Sequence, residues 1–175
     1  AFMRGHPASS DAVDRWNPTC ECVPQLGIAV RHELTVQITS QECYPELAYP
    51  YAKDLLERDE PFTALFAYND ISAIGAIRAF QEAGLRVPED TSLVGFDDIQ
   101  EAAYHRPSLT TVRQPLMRMG EIAAETLLQK IEGRQDFPGE IAVEPELMVR
   151  ESTVAPAADR RSSWSEPAVV NSRRK

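Results

Sequence analysis

Residues 62–98 read FTALFAYNDISAIGAIRAFQEAGLRVPEDTSLVGFDD, and this stretch decides the fold class. Residues 64–67 form a short apolar run of strand length. Residues 71–83 carry Ala73, Ile74 and Ile77 at helical spacing and stop at Gly84, a residue suited to a helix C-terminus. Val87-Pro88-Glu89-Asp90 is a turn, and residues 92–96 are a second strand. The unit is therefore strand, helix, strand. Both strands run out into polar residues, Tyr68-Asn69-Asp70 and Asp97-Asp98. In an open parallel sheet, ligands bind in the crevice outside the carboxyl ends of the strands. The same stretch thus marks a candidate pocket, though it offers no obvious catalytic apparatus.

The pattern continues on both sides. Residues 1–4 form a short buried strand, followed by the loop Gly5-His6-Pro7-Ala8-Ser9-Ser10-Asp11. A helix is predicted over 13–26. Pro18 and Pro24 fall inside it, and an interior proline costs about 3 kcal/mol, so this helix is expected to be short, kinked or poorly formed. Residues 34–39 alternate as a strand, and 49–58 place Tyr51, Ala52, Leu55 and Leu56 on one helical face. Beyond the central unit, 109–113 is a strand, 117–131 an amphipathic helix closed by Gly133, and 141–149 a last strand. Strands alternating with helices predict an α/β fold with a mostly parallel sheet flanked by helices. No internal repeat is visible. From Val154 onward the chain is rich in Ala, Pro, Ser and Arg without periodicity and reads as a disordered tail, residues 154–175.

Composition narrows the function classes. A chain of 175 residues with 43% hydrophobic and 26% charged residues can bury an ordinary core. No apolar run reaches the roughly 18–20 residues of a membrane-spanning helix. The net charge of −9 argues against nucleic-acid binding by the body of the chain, since phosphate contacts need clustered Lys and Arg. Cys20, Cys22 and Cys43 have no zinc-type spacing and read as reduced thiols of a cytoplasmic protein. His6 and His32 share no context, and His105 has no visible metal partner. No metal or cofactor is expected.

The segments TALFAYNDISAIGAIRAFQEAGLRVPED, SLVGFDD and PSLTTVRQP, followed by a helix beginning MRMGEIAAETLL, occur here in that order. Together they resemble the ligand-sensing core of the lactose-repressor and galactose-repressor family of bacterial transcription regulators. The likeness runs from residue 1 to about 153 and is weakest between Trp16 and Tyr49. It implies a two-subdomain, periplasmic-binding-protein-like type I core that closes on a small effector, usually a sugar. It also implies a homodimer that reaches operator DNA only through an N-terminal helix-turn-helix. By this likeness the chain is an incomplete core, mainly the second subdomain, which would span 1–113. Residues 114–136 would be a crossover helix belonging to the first subdomain, and 137–153 a returning strand. The crossover helix is then expected to show an apolar face without a proper partner.

Residue by residue, the resemblance maps ligand contacts onto Arg15, Asn69 and Asp97. A sugar needs a forked donor for neighbouring hydroxyls and a carboxylate or amide that accepts from them, and these side chains supply both. Asp11, Tyr68 and Phe96 are the candidates for lining the cleft, and Ile74, Ile77 and His105 for a dimer interface. Plainer roles compete: Asn69, Asp70, Asp97 and Asp98 are all good helix N-caps, and the isoleucines also suit the domain's own core. Two other functional classes compete with this reading. A periplasmic sugar-binding protein shares the fold. An enzyme using Asp97 and Asp98 as an acid-base pair is disfavoured, because adjacent strand residues point in opposite directions, and no phosphate loop or nucleophile elbow is present.

Overall fold

The computed structural model describes residues 1–40, 42, 44–58, 60–134 and 138–155. Cys43 and the tail from residue 156 lie outside the described residues. Six strands and five α-helices follow one another as β1 Phe2–Arg4, α1 Ser10–Cys22, β2 Thr35–Gln37, α2 Pro45–Glu57, β3 Ala64–Ala67, α3 Asp70–Glu82, β4 Ser92–Asp97, α4 Gln100–Tyr104, β5 Thr110–Arg113, α5 Leu116–Ile131 and β6 Glu146–Met148. They form one sheet in the order β2-β1-β3-β4-β5-β6. The first five strands are parallel, and only β6 runs antiparallel, against β5.

Strand order reverses between β1 and β3, because β1 leads outward to β2 and the chain then returns past β1 to begin β3. Such a reversal opens a crevice where the loops leave the sheet in opposite directions. Along each strand the side chains alternate between faces. Met3, Val36, Leu65, Ala67 and Leu93 point to one face and join Ala52 and Leu55 of α2 and Ala76, Ile77 and Phe80 of α3 in the buried core. Phe2 and Arg4 point to the other face, where both rest on Trp16 of α1. The α1 face is thinly covered: Phe66, Val94 and Phe96 stay half-buried.

Three sequence expectations need correcting. First, α1 is a full thirteen-residue helix despite Pro18. Pro18 and the residue four before it, Asp14, are both exposed, so the carbonyl that the proline leaves unbonded faces water. Pro24 does not break α1, because it stands in a separate 3-10 turn, Val23–Leu26. Second, α2 begins at Pro45, before the expected start, since proline is pre-set for a first helical position. Third, the strand expected over 141–149 shrinks to three residues. Pro145 has no N–H to donate, and Ile141 and Val143 lie beside α5 instead, across a groove of about 420 Å³.

Helix α5 differs from every other long helix here. It has no buried residue, and Met117, Leu127, Leu128 and Ile131 are 82%, 60%, 60% and 74% exposed. In α3, eight residues are buried. The apolar face of α5 is thus open among the described residues.

Candidate effector site

At the carboxyl edge of the sheet, the loops after β1, β2 and β3 surround a cleft of about 330 Å³ lined by His6, Ser9, Ser40, Tyr44, Tyr68 and Asn69 among others. Gly5 makes the tight exit from β1 possible, since a Cβ there would stand 2.5 Å from the Tyr68 ring. Tyr68 is the shared wall. One side of it faces this cleft, and the other meets α1.

On the α1 side, Arg15 lies over the rings of Tyr68 and Phe96, at 4.8 and 4.0 Å. Cation–π contacts of this kind contribute about 0.5–2 kcal/mol each, more when desolvated. Arg15 also donates from one terminal nitrogen to the Tyr68 carbonyl at 2.9 Å and approaches Asp97 Oδ1 with the other at 3.5 Å. Its guanidinium is therefore held in one plane before any ligand arrives. Asp97 Oδ1 takes a second, shorter hydrogen bond from Gln114 Nε2, at 2.7 Å. Burial pushes the Asp97 carboxyl above the usual carboxylate range, Arg15 and Gln114 pull it down, and Asp11 pushes it up again.

The next residue is bound quite differently. Asp98 accepts from Arg113 Nε at 2.6 Å and from Arg150 at 2.5 Å. Burial acts to raise its carboxyl, but these two guanidinium hydrogen bonds outweigh it and hold Asp98 below the usual range. The neighbours point to different partners, as adjacent strand-end residues should. Both have positive φ, 114° at Asp97 and 54° at Asp98, a region that residues other than glycine seldom enter.

Asn69 caps α3, its Oδ1 accepting from the Ser72 N–H at 2.9 Å. It is 7% exposed, and it lines the cleft beside Tyr68. Of the residues singled out from sequence, the structure thus brings Arg15, Tyr68, Phe96 and Asp97 into one cluster, with Asn69 adjoining it. Asp11 is exposed in the first turn of α1 and touches the cluster only through its charge. Ile74 is half-buried, and so is His105, whose Nδ1 sits 3.2 Å from the Pro107 carbonyl. Ile77 is a correction: at 0% exposure it belongs to the core, where its α3 position faces the sheet, and it has no surface to offer a second copy.

Sequence reasoning missed Gln114, Arg113 and Arg150, which hold the two aspartates. They lie 15 or more positions away in the chain: β4–β5 register sets Arg113 beside Asp97, Gln114 follows it directly, and Arg150 comes just after β6, the strand paired with β5. It also missed His6 and Tyr44 as cleft residues. Their only signal was position, two and five residues beyond a predicted strand's carboxyl end.

Comparison with known proteins places the chain in a family and a fold. Residues 11–153 match the family described as periplasmic binding protein-like domain. The HTH-type transcriptional repressor PurR of Yersinia pestis is 40% identical over 132 residues, which cover 75% of this chain and 38% of that repressor. A solved sugar-binding transcriptional regulator of the LacI family from Escherichia coli, complexed with phosphate, is 34% identical, with a TM-score of 0.80 over 89% of this chain and 55% of that one. The lac repressor dimer bound to operator and the anti-inducer ONPF has the same TM-score, 0.80, at 28% identity, over 89% of this chain and 52% of the repressor. The chain spans 38% of the length of the curated relative.

Proposed function

We propose that this chain, which belongs to the periplasmic binding protein-like domain family, forms the effector-sensing part of a cytoplasmic bacterial transcriptional repressor of the lactose-repressor type. The observation that carries the reading is Arg15, fixed between Tyr68 and Phe96 with Asp97 beside it, at the carboxyl edge of the sheet. A planar fork of donors next to an acceptor suits vicinal hydroxyls. The proposed effector is accordingly a small polyhydroxylated molecule, a sugar. Arg15 donates to it, Asp97 accepts from it, Asn69 contacts it from the α3 cap, and Tyr68, Phe96 and Asp11 shape the surroundings. The solved relative called a sugar-binding regulator supports the class of ligand and leaves the individual sugar open.

In the same reading, residues 1–113 form the second subdomain, α5 within 114–136 is a crossover helix whose apolar face meets the first, and 137–153 return as a strand to the sheet of residues 1–113. The exposure of Met117, Leu127, Leu128 and Ile131 supports this assignment. Pairing of two copies through the surface around Ile74 and His105 is proposed by analogy with the solved repressor dimer, and operator binding is assigned to a helix-turn-helix of the intact regulator.

Thermal melting of the chain against a panel of mono- and disaccharides tests the reading. A ligand that binds only the folded state at ten times its Kd adds about 1.4 kcal/mol, or roughly 3–6 °C in a domain of this size. One sugar is expected to raise the melting temperature, and Arg15→Ala or Asp97→Ala to abolish that rise. No rise with any sugar overturns the assignment of the ligand class.

A further inference from the structure

The Asp97–Asp98 turn has two consecutive residues at positive φ without a glycine, a conformation that costs about 1–3 kcal/mol per residue unless its surroundings enforce it. The backbone of this turn is reached by Asp70. This carboxylate is fully buried, at 0% exposure, one residue after the cleft residue Asn69. Its Oδ2 accepts directly from the Ile99 N–H at 2.9 Å. Its Oδ1 accepts from Thr111 Oγ1 at 2.5 Å, and the same Thr111 oxygen accepts from the Asp98 N–H at 3.4 Å. One side chain therefore binds the two amides that immediately follow Asp97, one of them through a buried hydroxyl. Space for it exists because residue 95 is glycine: a Cβ there would stand 2.2 Å from Asp70 Oδ1.

A buried carboxylate in a helix's first turn is stabilised by the helix N-terminus, yet here its hydrogen bonds run outward to other elements. That is more than capping requires. Asp70 contributes no cap hydrogen bond to α3; Asn69 does that. We propose that Asp70 is a positioning residue, whose buried carboxylate, acting on the Ile99 amide and through Thr111, locks the Asp97–Asp98 turn so that Asp97 is presented to Arg15. The proposal rests on the reading of Asn69 and Asp97 as effector contacts, because Asp70 then ties the two contact-bearing loops into one rigid unit.

The test uses NMR on the full chain without ligand, in the wild type, Asp70→Asn and Thr111→Val. Two signals report the presented state: the Arg15 Nε–H, displaced by the Tyr68 and Phe96 rings, and the Asp97 carboxyl carbon. In both variants these signals are expected to move toward unstructured values. Exchange of the Asp98 amide in Thr111→Val, and of the Asp98 and Ile99 amides in Asp70→Asn, should rise about tenfold, the effect of losing one hydrogen bond, while core amides such as Leu65 and Leu93 keep their protection. A merely structural Asp70 would speed those amides and leave the Arg15 and Asp97 signals in place, and that result overturns the proposal. Should Asp70→Asn fail to fold, Thr111→Val decides alone. Sugar binding is scored separately: if the ligand-free signals shift as expected but no sugar binds the wild type, the effector reading fails and the lock stands.

Discussion

Asp97 and Asp98 are neighbours bound from opposite sides, and they titrate in opposite directions. Folding raises the Asp97 carboxyl, chiefly by burial. The folded protein therefore holds the Asp97 proton more tightly than the unfolded chain. Its contribution to stability declines as pH rises from the ordinary carboxylate value through the raised folded value, then stays flat. Asp97→Asn removes this decline. Its stability relative to wild type should grow across that acid window and remain constant at neutral pH, with a shift of about 1 kcal/mol or less, measured by urea unfolding at stepped pH. Asp98 has the opposite sign. Its folded carboxyl is held low despite burial, by Arg113 and Arg150, so its stabilisation is complete above the unfolded value and is lost as pH falls toward the folded one. Asp98→Ala should lower the melting temperature at pH 7 and flatten the acid limb. Equal pH profiles for the two variants would contradict this division.

At the scale of elements, the strand-helix-strand unit of 62–98 was legible because local signals agreed: an apolar run, a helical repeat, a terminal glycine and a proline turn. Asn69 was legible as a cap and is one, so Asn69→Ala should cost about 1 kcal/mol of stability by the loss of the cap alone. Asn69→Ser keeps a cap oxygen and should recover most of it, while still failing in any sugar response. Gly95 shows the limit of such reading. In sequence it is a small residue inside a strand; in the structure it leaves room for Asp70 Oδ1. Gly95→Ala should therefore destabilise β4 and release the Ile99 amide, read out by amide exchange. Helix α1 erred the other way. Propensity counted Pro18 against it, but the orphaned carbonyl faces solvent, so the helix keeps its full length.

For the whole molecule, the uneven covering of the elements matters most. Phe80 of α3 is fully buried in the core, whereas the apolar residues of α5 are open. Phe80→Ala should cost about 3–5 kcal/mol. Leu127→Lys combined with Ile131→Lys should change the stability of this chain by about 0.5 kcal/mol or less, because little packing is there to lose. A large loss in the double variant, by chemical denaturation, would contradict an unpartnered face and with it the proposed crossover role. The α/β class, the position of the polar strand ends and the amphipathic character of α5 are written in local residue patterns, because periodicity and turn chemistry act over a few residues. Three-dimensional packing is what sets Arg15 over the rings of Tyr68 and Phe96, brings Gln114 and Arg150 to the two aspartates, carries Asp70 across to their turn and buries Ile77 in the core. Each of these depends on strand register and helix placement, which bring together residues separated by tens of positions. No local pattern records such distances.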